Sequence, residues 1–398
     1  MKATVLILLT CLIVALNPPL GASTSSAGAP GFTRISGCVS VPAEITGHVM
    51  FVNVMVNGSG PYRVMVDTGC SISVVSPELA EVVGAMTPDF DEDAYPTSAV
   101  NGLGDSADVK RVLLDSIELG GVHFEGVMAI VSDSFKKLSA IEGGRVDGML
   151  GFPLFADLFL GFDFPNHRLI LDKEWPTAVA PSICASLPVV EHADVPFVQV
   201  QIQGKPVELM IDTGSNQGLQ LTNYLAASFQ WKKAPRVGSL VAVLGEVGRE
   251  GIGRLAGSMA LGDLQQVEPT AIVSTGPSSL GLRSLERSFV VFHQSEHRVW
   301  LCGASTEPLL PTAERSVGLS LYSDRGGLRI AGVIPGSPAD EAHLTAGSLV
   351  TQIEHRSATS WTRDQLEQWI DSHADVALVV AEETGERALT LRSWDLVP

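Results

Sequence analysis

The chain repeats itself. Phe51-Val-Asn-Val-Met-Val-Asn-Gly58 aligns with Phe197-Val-Gln-Val-Gln-Ile-Gln-Gly204, and Val64-Met-Val-Asp-Thr-Gly69 aligns with Leu209-Met-Ile-Asp-Thr-Gly214. Further on, Leu150-Gly151 matches Leu280-Gly281. Phe159-Leu-Gly-Phe162 with His167-Arg168-Leu-Ile-Leu171 matches Phe289-Val-Val-Phe292 with His297-Arg298-Val-Trp-Leu301. Self-similarity of this kind commits a chain to build one supersecondary unit twice and to bury the two copies together.

The unit is β-rich. Val198, Val200 and Ile202 alternate with Gln199, Gln201 and Gln203, the period of a strand with one buried face. The short apolar runs Val64-Met-Val66 and Leu209-Met-Ile211 each deliver an Asp-Thr-Gly into a tight turn, where Gly supplies backbone angles that other residues resist. The repeats place the two halves at residues 37–174 and 184–303, joined by a Pro-containing linker at 175–183. Composition shifts after Pro308-Leu-Leu-Pro311. A linker at 304–314 leads to residues 315–398, expected to form a small α+β module with a helix from Thr362 to Ile370 and a closing strand pair, Val376 to Ala381 and Ala388 to Leu391.

Hydrophobic residues make up 45% of the chain, enough for packed cores in both halves and in the module. A formal charge of −18, with no segment that gathers the basic residues, excludes a phosphate-tracking nucleic-acid surface and disfavours anionic membranes. The long apolar run Ala3 to Leu16 follows Lys2 and precedes Asn17-Pro18-Pro19 and Gly21-Ala22-Ser23. It reads as a secretory signal over 1–22, cleaved near Ala22, since its length falls short of the ~20 apolar residues that span a bilayer. No stable membrane span is expected after cleavage. Ser23 to Ser36 has linker composition. Cys38, Cys70, Cys184 and Cys302 follow the signal, and none forms a Cys-x-x-Cys pair, which argues against structural zinc.

Asp67 and Asp212 hold equivalent positions. If the halves pack about a pseudo-twofold axis, their turns face each other and two carboxyl groups share one site. Like charges about 3 Å apart cannot both ionise easily, so such a pair holds one proton between them. One oxygen then serves as base toward a water while the protonated partner polarises a peptide carbonyl, with no metal and no covalent intermediate. A single Asp-Thr-Gly is an ordinary turn tripeptide. Two in register, each after an apolar strand and each followed later by a hydrophobic-Gly pair, point to a catalytic dyad. The His residues form no His-Glu-x-x-His spacing, and neither a Gly-x-Ser-x-Gly elbow nor a phosphate loop is present. His167 and His297 are read as structural.

Asp67-Thr-Gly-Cys-Ser71, Asp212-Thr-Gly-Ser-Asn216, Val146-Asp-Gly-Met-Leu-Gly151 and Ser279-Leu-Gly281 together resemble the retropepsin-like aspartic proteases of bacterial type, duplicated in one chain over about residues 37 to 303. The resemblance implies two pseudo-symmetric β-barrel halves forming one bilobal unit. It makes Asp67 and Asp212 catalytic and assigns loop support to Thr68, Gly69, Ser71, Thr213, Gly214 and Asn216. Substrate-covering flaps would lie at Asn101, Gly102, Leu103 and Gly104 and at Gly245 and Gly248. Two positions depart from the pattern. Cys70 stands after the Gly, either as a buried thiol or as a redox-sensitive one, and Ser279 occupies a usually apolar position, which would leave the second catalytic loop less firmly supported. If terminal strands interleave as the resemblance suggests, Cys38 pairs with Cys302 or with Cys184; the sequence leaves all three complete pairings open.

Gly318-Leu-Ser-Leu321, Pro335-Gly-Ser-Pro-Ala339 and Leu344-Thr-Ala-Gly347 resemble a PDZ domain. The resemblance implies a peptide C-terminus held as an added strand at Gly318, Leu319, Ser320 and Leu321. The combined reading is an exported, periplasmic or extracellular, monomeric aspartic endopeptidase without metal or cofactor, acting on extended polypeptides, with a PDZ-like module that recruits or regulates. The alternative is a non-catalytic peptide-binding protein that retains the protease-like groove.

Overall fold

A computed structural model describes residues 29–86, 98–100, 106–108, 110–142, 144–177, 184–243, 246–303, 308–382 and 385–397. The signal 1–22, the flap residues Asn101, Gly102, Leu103, Gly104 and Gly245, and parts of the linkers lie outside the described residues.

The fold is mainly β, as the alternation predicts. Val195–Ile202 buries Val198, Val200 and Ile202 and exposes Gln199 and Gln201. In the first half, six strands close on themselves: Val122–Val131, Ser73–Val75, Gly148–Gly151, Ser59–Asp67, Val49–Val56 and Lys110–Leu119, the last returning to pair with the first. Closure removes free edges and encloses one apolar core containing Val64, Val66, Leu114, Phe124 and Leu150. The second half repeats the order with Thr270–Ser274, Leu219–Thr222, Ser279–Gly281, Lys205–Asp212 and Val195–Ile202. Here the returning strand is split into Glu246–Arg254 and Ser258–Leu261, which pair with Thr270–Ser274 and Val195–Ile202 respectively.

A separate six-stranded sheet takes three strands from each half, in the order Cys184–Pro188, Arg298–Cys302, Phe289–His293, Phe159–Asp163, Arg168–Asp172, Val39–Pro42. Its central pair sets Gly161 opposite Val291, so the aligned sequence blocks meet across the pseudo-twofold. His167 and His297 fill matching turns at φ 54° and 50°, a structural role for both.

This sheet corrects the expected pairing of Cys38. Cys184 faces Cys302 in the ladder and forms a disulfide with it, at a Cα separation of 4.1 Å. Cys38 lies beside Val39–Pro42 at the opposite edge, four or five strand spacings of about 4.8 Å from either partner, beyond the ~7 Å limit for a disulfide. Cys38 is a free thiol bonded to Asp172; partial burial, then that bond and the Asp172 charge, raise its pKa. The disulfide ties the first strand of the second half to its last. Cys184→Ser is expected to cost about 2–5 kcal/mol by relaxing the unfolded chain. A thermal midpoint unchanged from that of the oxidised protein would contradict this.

The C-terminal module is α+β. Leu319–Asp324, Gly327–Val333, Leu349–Ile353, Asp375–Glu382 and Gly385–Arg392 form its sheet, with Leu319–Asp324 at one edge. The helix runs Arg363–Ser372, begun by a capping box between Thr362 and Gln365. A short pairing of Arg315–Ser316 with Trp394–Asp395 closes the module. No helix among the described residues is long and apolar enough to cross a membrane.

Candidate active site

The site forms where Ser59–Asp67 and Lys205–Asp212 end. Each strand runs parallel to its hydrophobic-Gly strand, with Asp67 opposite Gly151 and Asp212 opposite Gly281. The loops beyond are held alike: the Phe152 amide donates to the Cys70 carbonyl, and the Leu282 amide donates to the Ser215 carbonyl, both at 2.8 Å. The second loop thus keeps the same support despite Ser279, which is buried opposite Gln220 where the first half sets Met149 opposite Val74. The Ser279 hydroxyl has no hydrogen-bond partner among the described residues.

Thr68 and Thr213 cross between the halves. The Thr68 amide donates to Thr213 Oγ1 and the Thr213 amide to Thr68 Oγ1, each at 3.0 Å. The hydroxyls in turn donate outward, Thr68 Oγ1 to the Ile211 carbonyl at 2.7 Å and Thr213 Oγ1 to the Val66 carbonyl at 2.8 Å. Four reciprocal bonds in a buried setting fix one loop against the other.

The carboxyl groups are thereby brought together. The Gly69 amide donates to Asp67 Oδ1 at 2.8 Å, and the Gly214 and Ser215 amides donate to Asp212 Oδ1, both at 3.0 Å. Each carboxyl also packs on the opposing loop's glycine: a Cβ on Gly69 would stand 2.8 Å from Asp212 Cγ, and one on Gly214 would collide with the Asp67 carboxyl. Only glycine permits this approach. Asp67 and Asp212 are both 0% exposed. Burial first, then the Asp67 charge and the hydrogen bond between the two side chains, push the Asp212 carboxyl well above its ordinary range, and the two amides offset part of that rise. A buried pair of this kind retains a proton that an exposed aspartate would lose.

Among the other sequence candidates, Ser71 and Asn216 are buried in the same loops, and Asn216 Oδ1 accepts from Gln217 Nε2 at 3.3 Å. Cys70 is buried and its thiol donates to the Ile72 carbonyl at 2.9 Å, the environment of a packed thiol. Two supports escaped the sequence: Ser73 Oγ, which accepts from the Gly151 amide at 3.2 Å, and the Ser215 amide. Both act through atoms that any residue or many residues carry, so no motif signals them.

Two antiparallel strand pairs flank the positions read as flaps, most of which lie outside the described residues. Ser98–Val100 pairs with Ser106–Asp108. Arg236–Val243 pairs with Glu246–Arg254, setting Gly248 opposite Val241. On the return strand Glu250 is 4% exposed, neither carboxyl oxygen has a hydrogen-bond partner among the described residues, and burial pushes its pKa well above the ordinary value. Above about pH 4.5 the unfolded chain ionises this group while the folded chain resists, so stability falls as pH rises. Glu250→Met is expected to raise the thermal midpoint more at pH 7 than at pH 4; an equal or reversed effect would contradict the buried carboxyl.

In the module, Gly318 has φ +88° and lies against Ser337, where a Cβ would collide. Leu319, Ser320 and Leu321 are buried on the edge strand. A groove of about 540 Å³ opens beside that strand, lined by Leu321, Tyr322, Trp361 and Leu366 and, from the first half, by Thr46 and Arg63. Gly318, Leu319 and Ser320 do not line it.

No curated protein sequence matches the chain. Among solved structures, basic 7S globulin from soybean is similar over 68% of this chain and 96% of that one, at 13% identity and a TM-score of 0.41. Residues 52–154, which carry Asp67-Thr-Gly69 and its Leu150-Gly151 partner, match a family model described as aspartyl protease.

Proposed function

We propose that the chain is an exported aspartic endopeptidase that hydrolyses extended polypeptides with Asp67 and Asp212. The observation that carries this reading is the meeting of the two Asp-Thr-Gly loops, with hydrogen-bonded carboxyls held by the crossed Thr68 and Thr213. In the working state one proton rests on the pair. The unprotonated carboxyl takes a proton from water as its oxygen attacks the scissile carbonyl carbon, and the protonated partner donates to the carbonyl oxygen. As the C–N bond of the tetrahedral adduct breaks, the carboxyl that took the water proton passes it to the leaving amine and its partner takes a proton from the adduct's hydroxyl, which restores one proton to the pair. Thr68, Gly69, Thr213 and Gly214 hold the carboxyls in place for this exchange. The hairpins at residues 98–108 and 236–254 cover bound substrate, and the C-terminal module receives a polypeptide segment at its strand edge.

The test is digestion of a denatured protein and of a peptide library between about pH 4 and 7 by the chain lacking residues 1–22, beside Asp67→Asn and Asp212→Asn. New cleavage products from the wild type alone support the reading. Identical digests from all three would make the chain a peptide-binding protein that keeps the groove without the chemistry. Export is tested separately by the N-terminus of protein recovered from outside the cytoplasm, expected near Ser23.

A further inference from the structure

The second hairpin and the C-terminal module are not independent. Along Glu246–Arg254, Glu250, Ile252 and Arg254 share one face, since side chains alternate along a strand. That face lies on the module. Ile252 and its cross-strand partner Ile272 form one buried apolar cluster with Ile334, Leu396 and Val397, with Trp394 at its margin. Arg254 is buried and its guanidinium donates to three carbonyls: Val397 at 3.2 Å, Thr312 at 2.7 Å and Glu268 at 3.2 Å. At the base of the outgoing strand, the Arg236 guanidinium lies 5.1 Å from the centre of the Trp394 ring.

The module is also seated on both halves. His48 bonds Glu286 at 2.7 Å and approaches Glu367 of the module helix at 3.7 Å. Arg283 reaches Glu314 and Glu367, each at 3.9 Å, and Arg363 bonds Glu367 at 3.1 Å. Burial works to raise the Glu367 carboxyl; Arg363, the His48 bond and Arg283 outweigh it and hold the group well below the usual carboxylate range. Phe135 and Leu138 of the first-half helix Ser134–Glu142 join the apolar cluster that contains Leu319 and Leu321. The module therefore bridges the halves while gripping the return strand of one hairpin.

We propose that the C-terminal module is a latch on the second hairpin, with Arg254 as its positioning residue: docked, it holds the hairpin over the enclosed dyad, and undocking admits polypeptide. The grip is built from a buried charged side chain whose guanidinium is satisfied jointly by the Val397 carbonyl of the module, the Thr312 carbonyl of the linker that leads to it and the Glu268 carbonyl of its own half, so undocking strips part of the compensation from a buried charge. The edge strand Leu319–Asp324 lies in the apolar contact with the first half, so a polypeptide segment adding to that edge competes with docking. The effect on turnover rests on the peptidase reading; the latch itself does not.

Hydrogen exchange of the 246–254 amides in the full chain reads the latch without any catalysis. Arg254→Ala should speed exchange there and raise kcat/KM for a cleaved polypeptide by about tenfold, while lowering the thermal midpoint, as expected for losing charge-assisted bonds. A residue of merely structural importance would lower activity and stability together. Arg236→Ala, at a more exposed contact, should move exchange and turnover in the same direction by less and serves if Arg254→Ala does not fold. Glu250→Met, which adds apolar contact on the gripped face, should slow both. Unchanged 246–254 exchange in a folded Arg254→Ala or Arg236→Ala protein overturns the latch, whether or not peptides are cleaved. Faster exchange with no cleavage by any variant sustains the latch and removes the peptidase reading.

Discussion

Asp212→Asn is expected to lower kcat/KM on the order of 10³-fold or more while leaving the chain folded and, at neutral pH, more stable. The two effects share one cause. Asp212 is buried against Asp67, and its raised pKa means that the folded protein holds a proton which the unfolded chain releases. Below the ordinary aspartate pKa both states are protonated and the group contributes nothing to the pH dependence of stability. As pH rises above it, the unfolded chain gains from ionisation and the folded chain does not, so wild-type stability declines toward the raised value. Asparagine keeps the shape and the acceptor oxygen for the Gly214 and Ser215 amides but cannot ionise, so the decline is reduced. Thermal midpoints of wild type and variant should agree most closely near pH 3–4 and separate by pH 7 in favour of the variant. A variant that loses both activity and stability at pH 7 would mean that the carboxyl pair is a fold element, with its charge satisfied in some other way.

Thr213→Val should destabilise the protein by about 2–5 kcal/mol and reduce turnover, although the two side chains have nearly the same volume. The change removes the acceptor for the Thr68 amide and the donor to the Val66 carbonyl, leaving polar groups of the fully buried crossing point unsatisfied. The loops are then free to separate, and the hydrogen bond between the carboxyls lengthens with them. Thr213→Ser retains both bonds and loses only a methyl group, so it should stay within about 1 kcal/mol of wild type. Urea unfolding of the three proteins checks the ranking. Equal losses from Val and Ser would assign the effect to packing.

The dyad was legible because its parts lie on a repeat. Register did the work: Asp67 and Gly151, and Asp212 and Gly281, are neighbours in parallel strands, so matched tripeptides and matched hydrophobic-Gly pairs in the sequence mark one structural unit twice. The alternating strands were legible from their two-residue period, whereas the interleaved sheet followed only from the family resemblance. Cysteine pairing was not, because the interval from Cys38 to Phe51 equals that from Cys184 to Phe197 and makes the two look equivalent. They are equivalent, and each faces the last residue of a matching strand; that residue is Cys302 in one half and Asp172 in the other.

The docking of the module left no trace in the pattern. His48, Arg283, Glu286, Glu314, Arg363 and Glu367 come from segments scattered over more than three hundred positions, and each looks like an ordinary surface charge until the fold assembles them. Arg254 and Glu250 lie in a polar stretch, yet Ile252 between them packs against Ile334, Leu396 and Val397. Tertiary burial of charge overrides local composition at an interface, and sequence periodicity carries no information about it.

The most direct test of the central claim is the pH dependence of kcat/KM for one cleaved peptide, measured for wild type, Asp67→Asn and Asp212→Asn. A proton shared by two buried carboxyls predicts a wild-type bell, with the rate falling on the alkaline side as that proton is lost and on the acidic side as the second carboxyl is protonated. Neither variant should show cleavage at any point of the profile. A rate that persists in either variant, or a wild-type rate that climbs through neutral pH without a maximum, would contradict it.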